Sequence, residues 1–199
     1  MRTTLHTLLF ILLAVLAPLA QAQTHISTLR ELQGLTSQSG SYVLDNDIDA
    51  SDLSAPITNF SGTLDGQFHK ITGLTKPLFH TIKNATLRNL ILDHANVDVS
   101  TATNGDSDTS MAYCAGWGDR MSGILVNRAR GNTRIYNCGV LSGTIKAGSS
   151  PSNFTPNSSV GGLVGQLEDN ARVINCYSFA DVKYCTWPTG IVANNTGGL

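Results

Sequence analysis

The sequence is poor in charged and in aromatic side chains. Charged residues make up 14% of the 199 and aromatic residues 7%, and the formal net charge is −1. A chain with this balance lacks the basic surface that binds nucleic acids and acidic membranes, so we expect neither as a partner. Few aromatics beside many Gly, Ser, Thr and Asn residues favour short strands and tight turns over a two-layer globular core.

Long apolar runs are also missing beyond the N-terminus. The run at residues 8–16 is shorter than the ~20 residues that cross a bilayer. It follows the basic Arg2 and precedes Ala20-Gln21-Ala22, which has the small-x-small form of a signal cleavage site. We predict that residues 1–22 are a signal peptide cleaved after Ala22. The mature chain is then secreted or held at the cell surface, with no membrane insertion.

Motifs that carry catalysis are absent from the sequence. It has no HExxH zinc-peptidase motif, no CxxC metal pair, no glycine-rich phosphate loop and no nucleophile elbow. The dense acidic run at residues 45–52 lacks the glycine and distal glutamate of an EF-hand loop, so a solvated turn is favoured over a weak calcium site. Asp93 and His94 are interpreted as a surface pair. We predict a non-enzymatic chain with no catalytic residue, no metal and no cofactor.

What the sequence does contain is an internal repeat. Residues 84–90, 132–138 and 170–176 share one form without gaps: Asn, two residues, an aliphatic, one residue, Asn, then Leu or Cys. One strand-turn-strand unit cannot bury its own apolar face, whereas stacked units bury it between them. The repeat therefore predicts a parallel β-helix, a solenoid whose strands stack at ~4.8 Å so that equivalent side chains form ladders.

Two ladders are predicted from the recurring positions. Asparagine tolerates the left-handed backbone of a sharp corner, and its amide can bond the asparagine of the next turn of the chain. The predicted asparagine ladder is Asn89, Asn137 and Asn175. The predicted aliphatic ladder is Leu87, Ile135 and Val173.

The four cysteines belong to a chain with a predicted signal peptide, where disulfides are permitted. Cys138 and Cys176 follow the corner asparagines, at the position that Leu90 holds in the first copy, so both are predicted to be core residues. Stacked free thiols are favoured, and a disulfide between neighbouring turns is the alternative. Cys114 and Cys185 lie in inserts and are candidates for a second bridge.

Residues 23–40 predict a short N-terminal helix that caps the stack. Thr28 and Glu31 have the spacing of a capping box, and leucines recur at roughly helical intervals until Gly34. Strands and turns begin at residue 41, and Asp65-Gly66 predicts one tight turn. We assign residues 41–199 to the β-helix. The closing Gly-Gly-Leu at residues 197–199 repeats the start of an earlier copy, so we expect the sequence to be a fragment of a longer protein.

Polar inserts interrupt the repeat, and such inserts often form the binding flank of a solenoid. Aromatic faces on polar loops can stack on the C–H faces of sugars, while Asn and Asp bind the hydroxyls. The alternative is that these rings pack onto the β-helix and pin their own loops. The candidate binding residues are Tyr113, Trp117, Asp119 and Trp187.

Two short motifs, Gly161-Gly-Leu-Val-Gly165 and Asn175-Cys176-Tyr177, carry a family resemblance. The chain resembles GLUG-repeat proteins, secreted bacterial right-handed β-helices, and residues 42–74 resemble the segment that precedes such repeats. Copy two departs from the pattern, with Asn127 where the family favours glycine. Relatives include adhesin-like surface proteins, and GLUG repeats also accompany zinc peptidase domains that cleave immunoglobulin A. Without an HExxH motif, peptidase chemistry is not carried over.

These observations predict a right-handed parallel β-helix with a short N-terminal capping helix. The expected function is that of an adhesin-like or structural module that presents loops to glycans or to host or surface proteins. The alternative is an accessory β-helix of a larger secreted enzyme, a zinc peptidase or a polysaccharide-degrading protein, whose catalytic part is absent from this chain.

Overall fold

The computed structural model describes residues 23–98, 120–148, 158–185 and 195–197. Within these ranges the chain is nearly all β-structure, with strands of two to six residues in parallel sheets. The prediction of an all-β fold built from parallel strands is confirmed. No helix in the described ranges is long and apolar enough to cross a membrane. The predicted signal peptide at residues 1–22 lies outside them.

The chain enters the fold through a strand and a one-turn helix. Strand β1 (Thr24–Ile26) is followed by helix α1 (Leu29–Gln33). The predicted capping box is confirmed: Thr28 Oγ1 accepts from Glu31 N at 3.2 Å, and Glu31 Oε2 accepts from Thr28 N at 3.0 Å. Strand β1 was not predicted, because three residues are too few to show an alternating pattern. It exists because strand β2 (Ser41–Leu44) supplies a parallel partner.

Five parallel sheets hold the remaining strands. The largest has six strands in the order β1, β2 (Ser41–Leu44), β4 (Thr63–Asp65), β7 (Thr86–Arg88), β12 (Arg134–Tyr136) and β17 (Arg172–Ile174). The second has five strands: β3 (Ile48–Asp49), β5 (Lys70–Thr72), β8 (Ile91–Asp93), β13 (Gly139–Val140) and β18 (Tyr177–Ser178).

The other three sheets have three strands each. They are β6 (Phe79–Lys83) with β11 (Val126–Arg130) and β16 (Val164–Leu167); β9 (Ala95–Asp98) with β14 (Gly143–Gly148) and β19 (Asp181–Cys185); and β10 (Arg120–Gly123) with β15 (Ser158–Gly161) and β20 (Asn195–Gly197).

The first copy of the repeat gives one strand to each of four sheets, and the second and third copies give one strand to each of the five. The aliphatic positions fall in register: Ile135 lies opposite Leu87 on one side and Val173 on the other. Leu64 lies opposite Leu87, so the segment before the first copy belongs to the same stack. All but Val173 are fully buried.

The left-handed corner before the aliphatic position is not held by the same repeat position in every copy. Asn84, Gly131 and Asp169 have φ values of 55°, 65° and 56°, whereas the repeat aligns Asn84 with Asn132 and Asn170. Lys83 pairs with Arg130 before the corner, and Thr86 pairs with Arg134 after it. Copy one therefore has one residue fewer than copy two in this corner. Its first asparagine therefore moves into the left-handed position.

Glycines of the repeat stand where the backbones of neighbouring copies come closest. A Cβ on Gly123 would lie 2.5 Å from Gly165 N, and one on Gly165 would lie 2.6 Å from Ser122 N. Asn127 takes the place of Gly165 in copy two. Its buried side chain accepts a hydrogen bond from Gly123 N at 3.2 Å, so this departure from the repeat stabilises the same crossing.

Candidate functional site

The loop residues predicted to bind a partner lie outside the described residues. The candidate site among the described residues lies on the sheets. Four sequence candidates fall in this group: Tyr113, Trp117, Asp119 and Trp187. Cys114 lies outside as well, and Cys185 ends strand β19.

The corner between the six-stranded and five-stranded sheets carries the asparagine row. Asn89, Asn137 and Asn175 have φ values of 54°, 52° and 50°, the left-handed backbone that asparagine tolerates. Asn175 Nδ2 donates to Asn137 Oδ1 at 2.7 Å, and Asn137 Nδ2 donates to Asn89 Oδ1 at 3.3 Å. Asn89 Nδ2 in turn donates to Asp65 Oδ1 at 2.9 Å. The row therefore ends on a carboxylate, and each amide dipole supports the next.

Asp65 is a structural anchor that the sequence assigns only to a turn. Its Oδ2 accepts from Arg88 Nε at 2.8 Å, and its Oδ1 also accepts from Gln67 N at 3.0 Å. Burial opposes ionisation of this carboxyl, but the hydrogen bonds from Gln67 and Asn89 and the Arg88 charge hold its pKa below the ordinary value. Arg88 also connects Asp65 to the second copy of the repeat, because its Nη1 donates to the Tyr136 hydroxyl at 3.2 Å.

Replacing Asp65 with asparagine is expected to destabilise the fold at neutral pH by about 1–3 kcal/mol, since a charged acceptor of three hydrogen bonds is lost. A lowered folded-state pKa gives stability that is complete above the ordinary pKa and is lost as pH falls through the folded value. The difference between wild type and variant should therefore shrink in acid. Urea unfolding between pH 7 and pH 2 measures it. Exposed Asp52→Asn is the control, and a difference independent of pH would contradict the assignment.

Behind the corner asparagines lie two cysteines, both free thiols. Cys138 is buried and Cys176 half-buried. Cys138 N donates to Cys176 Sγ at 3.4 Å, while the two thiols lie 3.3 Å from the carbonyl oxygens of Tyr136 and Ile174 respectively. Hydrogen bonds from the Cys138 thiol and backbone outweigh burial and lower the pKa of Cys176 to about 7. The neighbouring sulfur and burial raise the pKa of Cys138.

The outer face of the five-stranded sheet carries an exposed aromatic pair. Phe179 is 73% exposed, and its ring centroid lies 5.5 Å from that of Tyr177. Tyr177 lies over Gly139, where a Cβ would come within 2.2 Å of its ring. Leu141, also exposed, is in the preceding copy. The sequence signal was available, because residues two apart on a strand share a face.

Beside the aromatic pair lies a polar cluster. Asp93 is only 8% exposed, so its interpretation as a surface residue was wrong, although His94 beside it is exposed. Asp93 accepts from the Ser142 hydroxyl at 2.7 Å and from Lys70 Nζ at 3.1 Å. The hydrogen bond from Ser142 contributes most to keeping the pKa of this carboxyl below its ordinary value, and Lys70 and His94 contribute less. Ser142 donates to a carboxylate and not to an imidazole, so the cluster does not have the Ser–His contact of an activated serine.

Two carboxylates of the acidic run at residues 45–52 bond to residues 20 and 23 positions away in the sequence. Asp45 Oδ1 lies 2.6 Å from His25 Nδ1, and Asp47 Oδ1 accepts from Lys70 N at 2.9 Å. The interpretation of the run as a turn that joins strands holds only in part, because Ile48–Asp49 forms strand β3 within it. Across the described residues, no group of three or more His, Cys, Asp or Glu side chains is placed to hold a metal ion.

Two family models match the chain. Residues 30–131, more than half of it, match the M26 IgA1-specific metallo-endopeptidase N-terminal region. The chain belongs to this M26 N-terminal region family. Residues 156–183 match the GLUG motif, which confirms the resemblance drawn from the repeat words. Neither the comparison with curated proteins nor the comparison with solved structures gave a match.

The candidate face of this M26 N-terminal region protein contains residues from both family matches. Asp93 and Lys70 lie in the M26 match, whereas Tyr177 and Phe179 lie in the GLUG match. The parallel register of strands β5, β8, β13 and β18 brings these distant parts of the sequence onto one sheet. Both families are typical of secreted proteins, in agreement with the predicted secretion.

Proposed function

We propose that the five parallel sheets together form a right-handed parallel β-helix. The support is the order of the sheets: from β2 onward, consecutive strands of the chain go to different sheets and return to the same sheet one copy later. Crossovers between parallel strands of one sheet are right-handed in about 98% of cases. An experimental structure tests the handedness, and a left-handed coil would refute it.

We propose that the chain is a non-enzymatic recognition module of a secreted protein related to M26 peptidases. The observation that carries this proposal is the family match over residues 30–131 in a sequence without HExxH. The family name specifies immunoglobulin A1, so that glycoprotein is the first partner to test. An adhesin-like role, with glycans or surface proteins as partners, uses the same property, a rigid stack that presents side chains in fixed rows.

The outer face of the five-stranded sheet has the chemistry of a carbohydrate site. Tyr177 and Phe179 offer ring faces on which the C–H faces of a sugar can stack. Asp93 lies two strands from Phe179, about 10 Å at the usual strand spacing, within the span of a short oligosaccharide. Lys70 and His94 add donors to hydroxyl groups there. The loop residues Tyr113, Trp117, Asp119 and Trp187 remain a second proposed contact surface.

Binding of the mature chain to a glycan array and to immobilised immunoglobulin A1 tests the proposal. Removing the ring in Phe179→Ala is expected to weaken binding about tenfold or more, since each 1.4 kcal/mol is a factor of ten. Leu167→Ala is the matched control, because Leu167 is also exposed and apolar but lies on another sheet.

The outcomes separate the proposed surfaces. Equal binding by Phe179→Ala and the wild type would rule out the sheet face, and loss of binding in Trp117→Ala alone would assign the site to the loops. A wild-type chain that binds neither immunoglobulin A1 nor any glycan would refute the recognition function.

A further inference from the structure

We propose that Cys176 and Cys138 form a dithiol site that small-molecule disulfides oxidise to a disulfide between neighbouring turns of the stack. The proposal concerns a modification site and is independent of the recognition function. The repeat predicts both thiols to be core residues, and the family matches assign them no chemistry.

The backbone places the two cysteines opposite one another. Tyr136 pairs with Ile174 just before them, and Gly139 pairs with Tyr177 just after them, both in parallel register. Neighbouring parallel strands lie about 4.8 Å apart, which falls within the Cα separation of about 4.4–6.8 Å that disulfides span. Cys138 N already contacts Cys176 Sγ at 3.4 Å. No shift of register is needed to join the two sulfurs.

Access and reactivity give the two thiols different roles. Cys176 is half-buried and follows β17, the last strand of the six-stranded sheet, whereas Cys138 is fully buried in the stack. The hydrogen bonds that Cys176 accepts favour its thiolate, the form that attacks disulfides. A reagent therefore reaches and reacts with Cys176 first. Capping Cys176 removes its thiolate, the neighbouring group that most disfavours ionisation of Cys138.

The reaction balances with glutathione disulfide as the oxidant. The Cys176 thiolate attacks one glutathione sulfur, the glutathione S–S bond breaks, and one glutathione leaves as a thiolate. The Cys138 thiol then gives its proton to solvent and attacks Cys176 Sγ in the mixed disulfide. The second glutathione leaves as the new S–S bond forms. Two protein thiols are oxidised, one glutathione disulfide is reduced to two glutathione molecules, and the released thiolates take up protons.

The test uses the mature chain with Cys114→Ser and Cys185→Ser, so that only the two stacked thiols react. After treatment with oxidised glutathione, intact mass should fall by the mass of two hydrogen atoms, and peptide mapping should show Cys138 joined to Cys176. Adding Cys138→Ser should instead leave one glutathione on Cys176. Adding Cys176→Ser should leave the folded chain unmodified. Circular dichroism confirms that each variant folds.

Three results would overturn the proposal. They are a stable glutathione adduct on Cys176 while Cys138 is present, no reaction at either thiol, and modification of Cys138 in the Cys176→Ser chain at the parent rate. If a serine variant fails to fold, brief alkylation of the parent decides the order of reactivity. Iodoacetamide should label Cys176 at least tenfold faster than Cys138, and equal labelling would refute the assigned roles.

Discussion

Replacing Leu87 with alanine is expected to lower the free energy of unfolding by about 2–5 kcal/mol. Leu87 is fully buried and lies in register between Leu64 and Ile135. Because the stack is rigid along its axis, the neighbouring turns cannot close over the lost carbon atoms, and a cavity remains. Thermal and urea unfolding of residues 23–199 measure the loss. It should be large, since a whole domain is commonly stable by only about 5–15 kcal/mol.

Val173→Ala is the matched control for that experiment. Val173 occupies the same ladder position but lies on β17, the terminal strand of its sheet, and is half-buried. Its side chain has a packing partner on one side among the described strands. We therefore expect a loss of about 1 kcal/mol or less, because a partly exposed site leaves little cavity. Equal losses in the two variants would mean that the aliphatic positions do not form a continuous core.

The stacking of the fold could be predicted because each turn of the chain repeats one physical task. An aliphatic residue must fill the core and an asparagine must take the left-handed corner, so Leu87, Ile135 and Val173 recur at fixed distances from Asn89, Asn137 and Asn175. Parallel pairing then follows, since equivalent residues must lie opposite one another.

Features that depend on contacts across copies could not be predicted. Asp65 looks like a turn residue in the sequence, and its bonds to Arg88 and Asn89 exist only once the turns stack. Asp93 appeared to be a surface residue because Lys70 and Ser142, which bury and bind it, are far away in the sequence. The aromatic pair was not predicted, because the alternation that puts Tyr177 and Phe179 on one face does not tell whether that face is buried.

Asn137→Ala is expected to lower the free energy of unfolding by about 3–4 kcal/mol through two separate losses. The variant removes the amide that donates to Asn89 and accepts from Asn175, at about 1 kcal/mol for each hydrogen bond. It also places a Cβ-bearing residue without a helpful side chain at a φ of 52°, at a further 1–2 kcal/mol or so. Unfolding by urea with two probes measures the total.

Asn137→Gly separates the two losses, because glycine adopts the left-handed backbone at no steric cost but cannot bond its neighbours. Its stability should lie between those of the wild type and Asn137→Ala. Asn175→Ala serves as the positional control: Asn175 has a similar φ of 50° but makes one bond to the row, to Asn137. Wild-type stability in the glycine variant would show that the amide row contributes nothing. Equal stability of the glycine and alanine variants would remove the left-handed corner as the reason for asparagine. Asparagine is required at this corner both for its hydrogen bonds and for its left-handed backbone if stability falls from the wild type to Asn137→Gly and again to Asn137→Ala.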